Sequence, residues 1–267
     1  MKSGVVLMTD QPNEDFLHRL ADLADAATLP RFRCTLHVSS KEKPGWRFDP
    51  VTDADRAAEK ALRKALATAF PDHAILGEEF GSEGSGRFRW VLDPVDGTRP
   101  FLCGLPLWAT LIGFEVDGRA VMGMMSQPFT GERFWAGPDG AWTARAGRRE
   151  RLRTRDVGDL SQAVLHTTSP EGYGPLSEKL KRLMAKVRMT RFGGEAYATA
   201  MLASGYIDLC LEPALQPYDI VALIPIIEAA GGLVTRLDGE RAERGGPVLA
   251  AATANLHEQA MAVLCRE

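Results

Sequence analysis

Between residues 74 and 128 the apolar residues abandon any helical period and gather into the short runs "HAIL", "RWVLD", "LWATLIGFEV" and "AVMGMMSQP", divided by charged or Gly-rich turns. Short apolar runs with such punctuation specify strands. "EVDGRA" adds an Asp-Gly pair, the dipeptide that suits a tight hairpin turn. A mainly antiparallel sheet is therefore expected in the middle of the chain, and its apolar faces need covers. The flanking sequence offers them. Phe16, Leu17, Leu20, Leu23 and Ala24 recur at i, i+3, i+4 spacing, which predicts an amphipathic helix over 12–28. Thr52, with Asp55 three residues on, caps a second helix whose stripe of Ala58, Leu62, Ala65, Leu66 and Ala69 stops before Pro71.

Beyond about residue 155 the rhythm becomes strand, helix, strand, helix. "QAVLHTTS" and "YIDLCLEP" read as strands; 175–187, 194–204, 218–230 and 255–265 read as helices, with "AGG" at 230–232 as a glycine stop. The expectation is an α/β protein in two packed halves. Residues 1–150 form an α+β half with the antiparallel sheet, and 151–267 an α/β half, with the seam in 144–159.

The 267 residues are 45% hydrophobic and 25% charged, enough to bury a sizeable core, and the net charge of −3 argues against nucleic acid as the main partner. "RRERLRTR" at 148–155 is read as a solvated loop. "MKSGVVLMTD" is too short in apolar residues for a signal-peptide core, and no run approaches a membrane span, so a soluble cytoplasmic protein is expected. Cys34, Cys103, Cys210 and Cys265 are scattered and read as reduced thiols. His18, His37, His73, His166 and His257 lie in unrelated contexts and read as surface or satisfied residues rather than catalysts. "GSEGSG" at 81–86 opens no periodic helix and is not read as a nucleotide loop.

The chemistry lies in the acids. In "WVLDPVDGTRPF" an apolar strand runs into Asp93 and Asp96, whose mutual repulsion in one cleft calls for a cation between them. All-oxygen ligands suit Mg²⁺, Mn²⁺ or Ca²⁺ rather than zinc. The competing reading is turn chemistry alone. "ILGEEF" again ends an apolar run in acids, Glu78 and Glu79, and Asp219 stands in the first turn of an apolar helix in "LQPYDIVALIPIIEAAGG", where an acid also serves the helix terminus. The joint pattern favours metal. Gly97 and Thr98 then open a helix whose free N–H groups suit phosphate, and the Thr98 hydroxyl can hold a water. Metal, phosphate and positioned water together describe phosphoester hydrolysis.

"GEE", "WVLDPVDGTRPF" and "PYDIVALIPIIEAAGG" resemble, in order and spacing, the three signatures of the inositol monophosphatase family of Mg²⁺-dependent, lithium-sensitive phosphatases, over about residues 10–265. The resemblance implies a layered α/β/α/β/α sandwich of the inositol monophosphatase and fructose bisphosphatase type, usually homodimeric. It implies two or three Mg²⁺, replaceable by Mn²⁺, held by Glu78, Asp93, Val95 through its carbonyl, Asp96 and Asp219. It makes Asp93 the bridging acid, Glu78 an orienter of the attacking water, and Gly97 and Thr98 the phosphate-binding amides, with the Thr98 hydroxyl on the nucleophilic water. Asp55 matches an acid near the metals, or simply caps its helix; Glu79 stands beside the same cluster.

The resemblance leaves the alcohol of the small phosphate ester open. Tyr218 replaces the tryptophan of the inositol type, and "SQPFTGERFW" and "GLPLWATLIG" resemble the histidinol-phosphatase branch more closely. Glu195, in "RFGGEAYATA", falls where that branch carries an acid; Glu212 matches the substrate-contacting acid, and Arg191 precedes them as a further substrate candidate. Two acids facing the alcohol suit an ammonium group, so L-histidinol phosphate is expected as substrate, with inositol phosphates as the alternative. Glu195 also reads as a helix-start acid and Glu212 as a strand-end acid. A catalytically idle scaffold is disfavoured because every ligand position is filled.

Overall fold

The computed structural model describes residues 11–35, 37–40 and 50–265. Its first helix, α1 (Glu14–Thr28), is capped by the Asn13 side chain on the Phe16 amide. After β1 (Val38–Ser40) and β2 (Pro50–Thr52), α2 (Asp53–Ala69) starts on the Thr52–Asp55 capping box expected from the sequence. Eight strands then form one sheet: β3 (Ala74–Gly77), β4 (Gly81–Glu83), β5 (Phe88–Asp96), β6 (Ala109–Val116), β7 (Arg119–Gln127), β8 (Glu132–Gly137), β9 (Gly140–Arg145) and β10 (Arg148–Arg151), with the short α3 (Thr98–Leu102) after β5. Their order is β10-β9-β8-β7-β6-β5-β3-β4, antiparallel except for β3 beside β5. The Asp-Gly turn joins β6 to β7, with Asp117 and Gly118 both left-handed.

A second sheet, ordered β12-β11-β13-β15-β14, comprises β11 (Val164–Thr167), β12 (Met189–Phe192), β13 (Leu209–Leu215), β14 (Leu233–Arg236) and β15 (Gly246–Ala251). Its helices are α4 (Ser177–Met184), α5 (Glu195–Ala203), α6 (Pro217–Ile220), α7 (Leu223–Ala229) and α8 (Ala254–Leu264). Side-chain alternation along the strands sorts the core into layers. Trp90, Leu92, Ile112, Phe114 and Met124 meet Leu17, Leu20, Leu62 and Leu66 of α1 and α2 on one face of the large sheet. Leu111, Met125 and Phe134 on its other face share a core with Ala200, Ile224 and Ile227 of α5 and α7, and with Cys210, Val248 and Ala250 of the small sheet. Leu165, Leu209, Leu211 and Leu249 complete the stack against Leu180, Leu183, Leu256 and Leu264 of α4 and α8. The order is helix, sheet, helix, sheet, helix, the five-layer sandwich expected.

Two local features differ from the sequence reading. The helix expected over 218–230 is broken between Ile220 and Leu223. Pro225 has no N–H for the Val221 carbonyl, and its ring collides with a carbonyl four residues back in a continuous helix. "RRERLRTR" contains the edge strand β10 rather than being only a loop, and Arg149 and Arg155 tie it to Glu14 and Asp208.

The break in the middle-layer helix matters because it lets the chain press onto the large sheet. Gly113 and Gly123 face each other across β6 and β7. A Cβ on Gly123 would stand 1.9 Å from the Ala222 carbonyl oxygen, and one on Gly113 2.7 Å from Val221 Cγ1. These two glycines admit the α6–α7 junction, and with it Asp219. No helix among the described residues is long and apolar enough to cross a membrane. Residues 1–10, read above for a leader, lie outside the described residues.

Candidate active site

β5 runs as far as Asp96, so both aspartates of the central motif belong to the strand rather than to the turn after it. Spacing of three would place their side chains on opposite faces of a regular strand. A bulge corrects this: Asp93 pairs with Leu111 and Asp96 with Ala109, leaving one extra residue on β5. Pro94 lies within the bulge, where a ladder amide is not needed, and its carbonyl takes the Thr110 hydroxyl at 2.8 Å. Asp93 and Asp96 therefore face the same way, and α6 brings Asp219 to them. One carboxylate oxygen from each lies within 4.8 Å of the others.

The cluster lines a cavity of about 130 Å³ together with Glu78, Val95, Gly97, Thr98, Arg99 and Glu195. Burial, reinforced by Glu78, Asp96 and Asp219, pushes the Asp93 carboxyl well above the usual carboxylate range. Burial, then Glu195 and Asp219, does the same to Asp96. Backbone donors hold the three in place: Val95 N–H donates to Asp93 (3.0 Å), Ala196 N–H at the start of α5 to Asp96 (2.8 Å), and Gln216 N–H to Asp219 (2.6 Å). Carboxylates this close, with Asp93 buried and Asp96 and Asp219 half-buried, form an all-oxygen ligand set that fits a hard divalent cation.

Around this cluster the other expected residues fall as follows. Gly97 is left-handed (φ 83°) and precedes α3, a single short turn of helix. Thr98 Oγ1 lies 3.2 Å from the Val95 carbonyl and 3.4 Å from Asp55 Oδ1. Asp55 caps its helix, its Oδ2 accepting from the Thr52 amide and hydroxyl, while its Oδ1 faces Thr98. Burial raises the Asp55 carboxyl to about 6. Glu79, its side chain 2% exposed, points to Arg56 at 4.0 Å.

Glu212 accepts at Oε1 from both the N–H (2.8 Å) and the hydroxyl (3.0 Å) of Thr168, and burial raises it to about 8. Burial raises Glu195 too, against the opposing pull of Thr168 and Arg99. The Glu195 backbone is left-handed at φ 48°, uncommon for a non-glycine residue. Arg191 lies exposed on the edge strand β12, paired in register with His166, and is not among the residues lining the cavity.

Sequence reading passed over Thr168, which holds Glu212, and Arg99, which lines the cavity; "HTTS" and "GTRP" gave no signal beyond a strand end and a helix start. Of the histidines, His73 takes the Trp90 indole N–H and His257 meets Thr235, as satisfied residues do. His166 differs: it is buried with no partner at Nε2, and burial, then Arg191, lowers it to about 4. All four cysteines are free.

The model of the inositol monophosphatase family matches residues 14–267. The chain belongs to the inositol monophosphatase family. It is therefore a phosphoric monoester hydrolase of a metal-dependent family, with an acidic cluster able to hold metal. It is 40% identical to the histidinol-phosphatase of Streptomyces coelicolor, over 92% of this chain and 94% of that one. It is 37% identical to the histidinol-phosphatase of Mycobacterium tuberculosis, over 86% and 90%. The solved inositol monophosphatase of Zymomonas mobilis superposes with a TM-score of 0.82 at 36% identity, covering 94% of this chain and 96% of that one.

Proposed function

We propose that this phosphatase hydrolyses L-histidinol phosphate, with Mg²⁺ held by Glu78, Asp93, the Val95 carbonyl, Asp96 and Asp219. Bound Mg²⁺ supplies charge neutralisation for the phosphate oxygens and the departing alkoxide, and lowers the pKa of a ligated water. The chain itself orients the attack. The Thr98 hydroxyl has two acceptors for its one proton, Asp55 Oδ1 and the Val95 carbonyl, and keeps lone pairs for a hydrogen bond from the water. Gly97 and Thr98 offer their amides to the phosphate.

The observation that carries the substrate reading is the pair Glu195 and Glu212, two acids near enough for the charge of one to act on the other, with Glu195 lining the cavity. Two neighbouring buried acids, both displaced toward the neutral form, suit a ligand that brings a positive charge. The ammonium of histidinol phosphate does so; the hydroxyls of inositol 1-phosphate do not. The two histidinol-phosphatase relatives support the same choice. Steady-state phosphate release from histidinol phosphate, inositol 1-phosphate and glycerol 2-phosphate tests it. The reading expects the highest kcat/KM for histidinol phosphate, and a preference for inositol 1-phosphate overturns the substrate while keeping the phosphatase.

A further inference from the structure

Glu59 sits one turn after Asp55 on α2, fully buried, and plays no part in the cavity. Its carboxylate nevertheless reaches the motif that carries Glu78. Oε2 accepts from the Glu79 amide at 2.7 Å and Oε1 from the Phe80 amide at 3.2 Å. The preceding amide, that of Glu78, donates to the Leu92 carbonyl of β5 at 3.1 Å. All three amides of the turn 78–80 are thus anchored, two of them by one side chain.

The surroundings are built for this carboxylate. Arg63, one further turn along α2, donates its Nε to Glu59 Oε1 at 2.8 Å and also reaches the Gly81 carbonyl and, at 3.0 Å, Glu83. Its charge offsets the desolvation of Glu59, and its other nitrogens bind the far side of the same turn. Gly77, just before Glu78, shows how closely the group packs. A Cβ there would lie 1.9 Å from Glu59 Oε1, so any side chain at 77 would displace the carboxylate from the turn. This gives the glycine of "GEE" a reason that a strand-end reading does not supply.

We infer that Glu59 is a positioning residue for the reaction: its carboxylate, with Arg63 behind it, fixes the turn 78–80 and so aims the Glu78 carboxyl at Asp93. A carboxylate accepting two backbone amides makes charge-assisted bonds that orient as well as attract. Glutamine in its place keeps the shape, but retains one acceptor oxygen and turns an NH₂ toward the other amide. The turn then relaxes on the side that carries Glu78.

The inference rests on the reading of Glu78 as a metal ligand, and the test separates the two. Mg²⁺ binding is measured by calorimetry on substrate-free protein, with thermal melts and steady-state kinetics alongside, for Glu59→Gln, Arg63→Lys and Glu78→Gln. Partners that orient metal ligands typically cost roughly 10- to 100-fold in metal affinity when lost. Glu59→Gln is expected to weaken Mg²⁺ binding by about 10-fold or more. At saturating Mg²⁺ it should still lower kcat, with KM for the ester within about 2-fold of wild type. Arg63→Lys, which keeps the charge but not the fork, should shift both in the same direction by less, and it carries the test if Glu59→Gln does not fold. Lowered melting temperature with unchanged Mg²⁺ affinity and kcat in the folded variants overturns the inference and leaves Glu59 a structural residue. Unchanged Mg²⁺ affinity in Glu78→Gln overturns the ligand reading instead.

Discussion

Buried acids in this protein are of two kinds, and the contrast between them locates the chemistry. Away from the cavity each of several buried acids has an arginine: Asp208 meets Arg155, Glu115 meets Arg89, Glu243 meets Arg241 and Glu59 meets Arg63, at 2.5 to 2.8 Å. At the cavity Asp93 is acted on by Glu78, Asp96 and Asp219, all negative. The chain pairs these structural acids with its own cations, whereas the charges that act most on Asp93 and Asp96 are those of other acids. The same difference separates their energetics. An arginine-paired acid has its charge offset whether or not any ligand is present, whereas clustered acids oppose folding until something neutralises them.

Breaking one member of each kind gives the largest contrast. Asp93→Asn is expected to lower phosphate release by roughly 10³-fold or more, as for other essential groups, while the metal-free protein melts no lower than wild type because a repulsive charge is gone. Asp208→Ala strips a partner from Arg155 and an acceptor from the Val164 amide, and is expected to cost about 1–3 kcal/mol of stability with kcat almost unchanged. Denaturant melts and turnover on the two variants check the pair. If Asp93→Asn destabilises the metal-free fold as Asp208→Ala does, the distinction between the two kinds of acid fails.

The substrate side sharpens it further. Glu195→Gln and Glu212→Gln each remove an acid proposed to face an ammonium, a contact contributing about 1.5–3 kcal/mol. The kcat/KM for histidinol phosphate should fall about 10- to 100-fold in either variant, and that for inositol 1-phosphate far less. Equal losses on both esters would report damage to the acidic cluster instead. Thr98→Ala is expected to lower kcat by about 10²-fold in a protein that still melts near the wild-type temperature, and Thr98→Ser to recover most of it. A loss of stability in step with turnover, or no recovery in serine, would reduce Thr98 to a helix-start residue.

Much of this was legible in the sequence because the motifs are contiguous. "WVLDPVDGTRPF" places strand, acids and helix start within twelve letters, and the Thr52–Asp55 box is local in the same sense. What was not legible depends on contacts between distant segments. The bulge that turns Asp93 and Asp96 to one side is a property of β5 and β6 together, although Pro94 hints at it. Gly113 and Gly123 read as ordinary strand residues until the Val221–Ala222 backbone lies against them. Thr168 and Glu59 carry no motif at all. Their importance appears only when β11 is set beside β13, and α2 beside the end of β3.

The central claim is that Asp93 and Asp96 repel their acidic neighbours in the fold and that a divalent cation offsets this repulsion, and the pH dependence of stability tests it most directly. Asp93 and Asp96 are displaced upward in the fold, as are Asp55 to about 6 and Glu212 to about 8, so the folded state holds protons that the unfolded state has released. Their contribution to stability is fully present below the unfolded values near pH 4 and is lost as pH rises through the folded ones. In chelator, the melting temperature should therefore fall between about pH 5 and pH 8.5. Saturating Mg²⁺ should flatten the fall, and Asp93→Asn should reduce it. A metal-free melting temperature that rises or stays level over that range, with no response to Mg²⁺, would contradict the account.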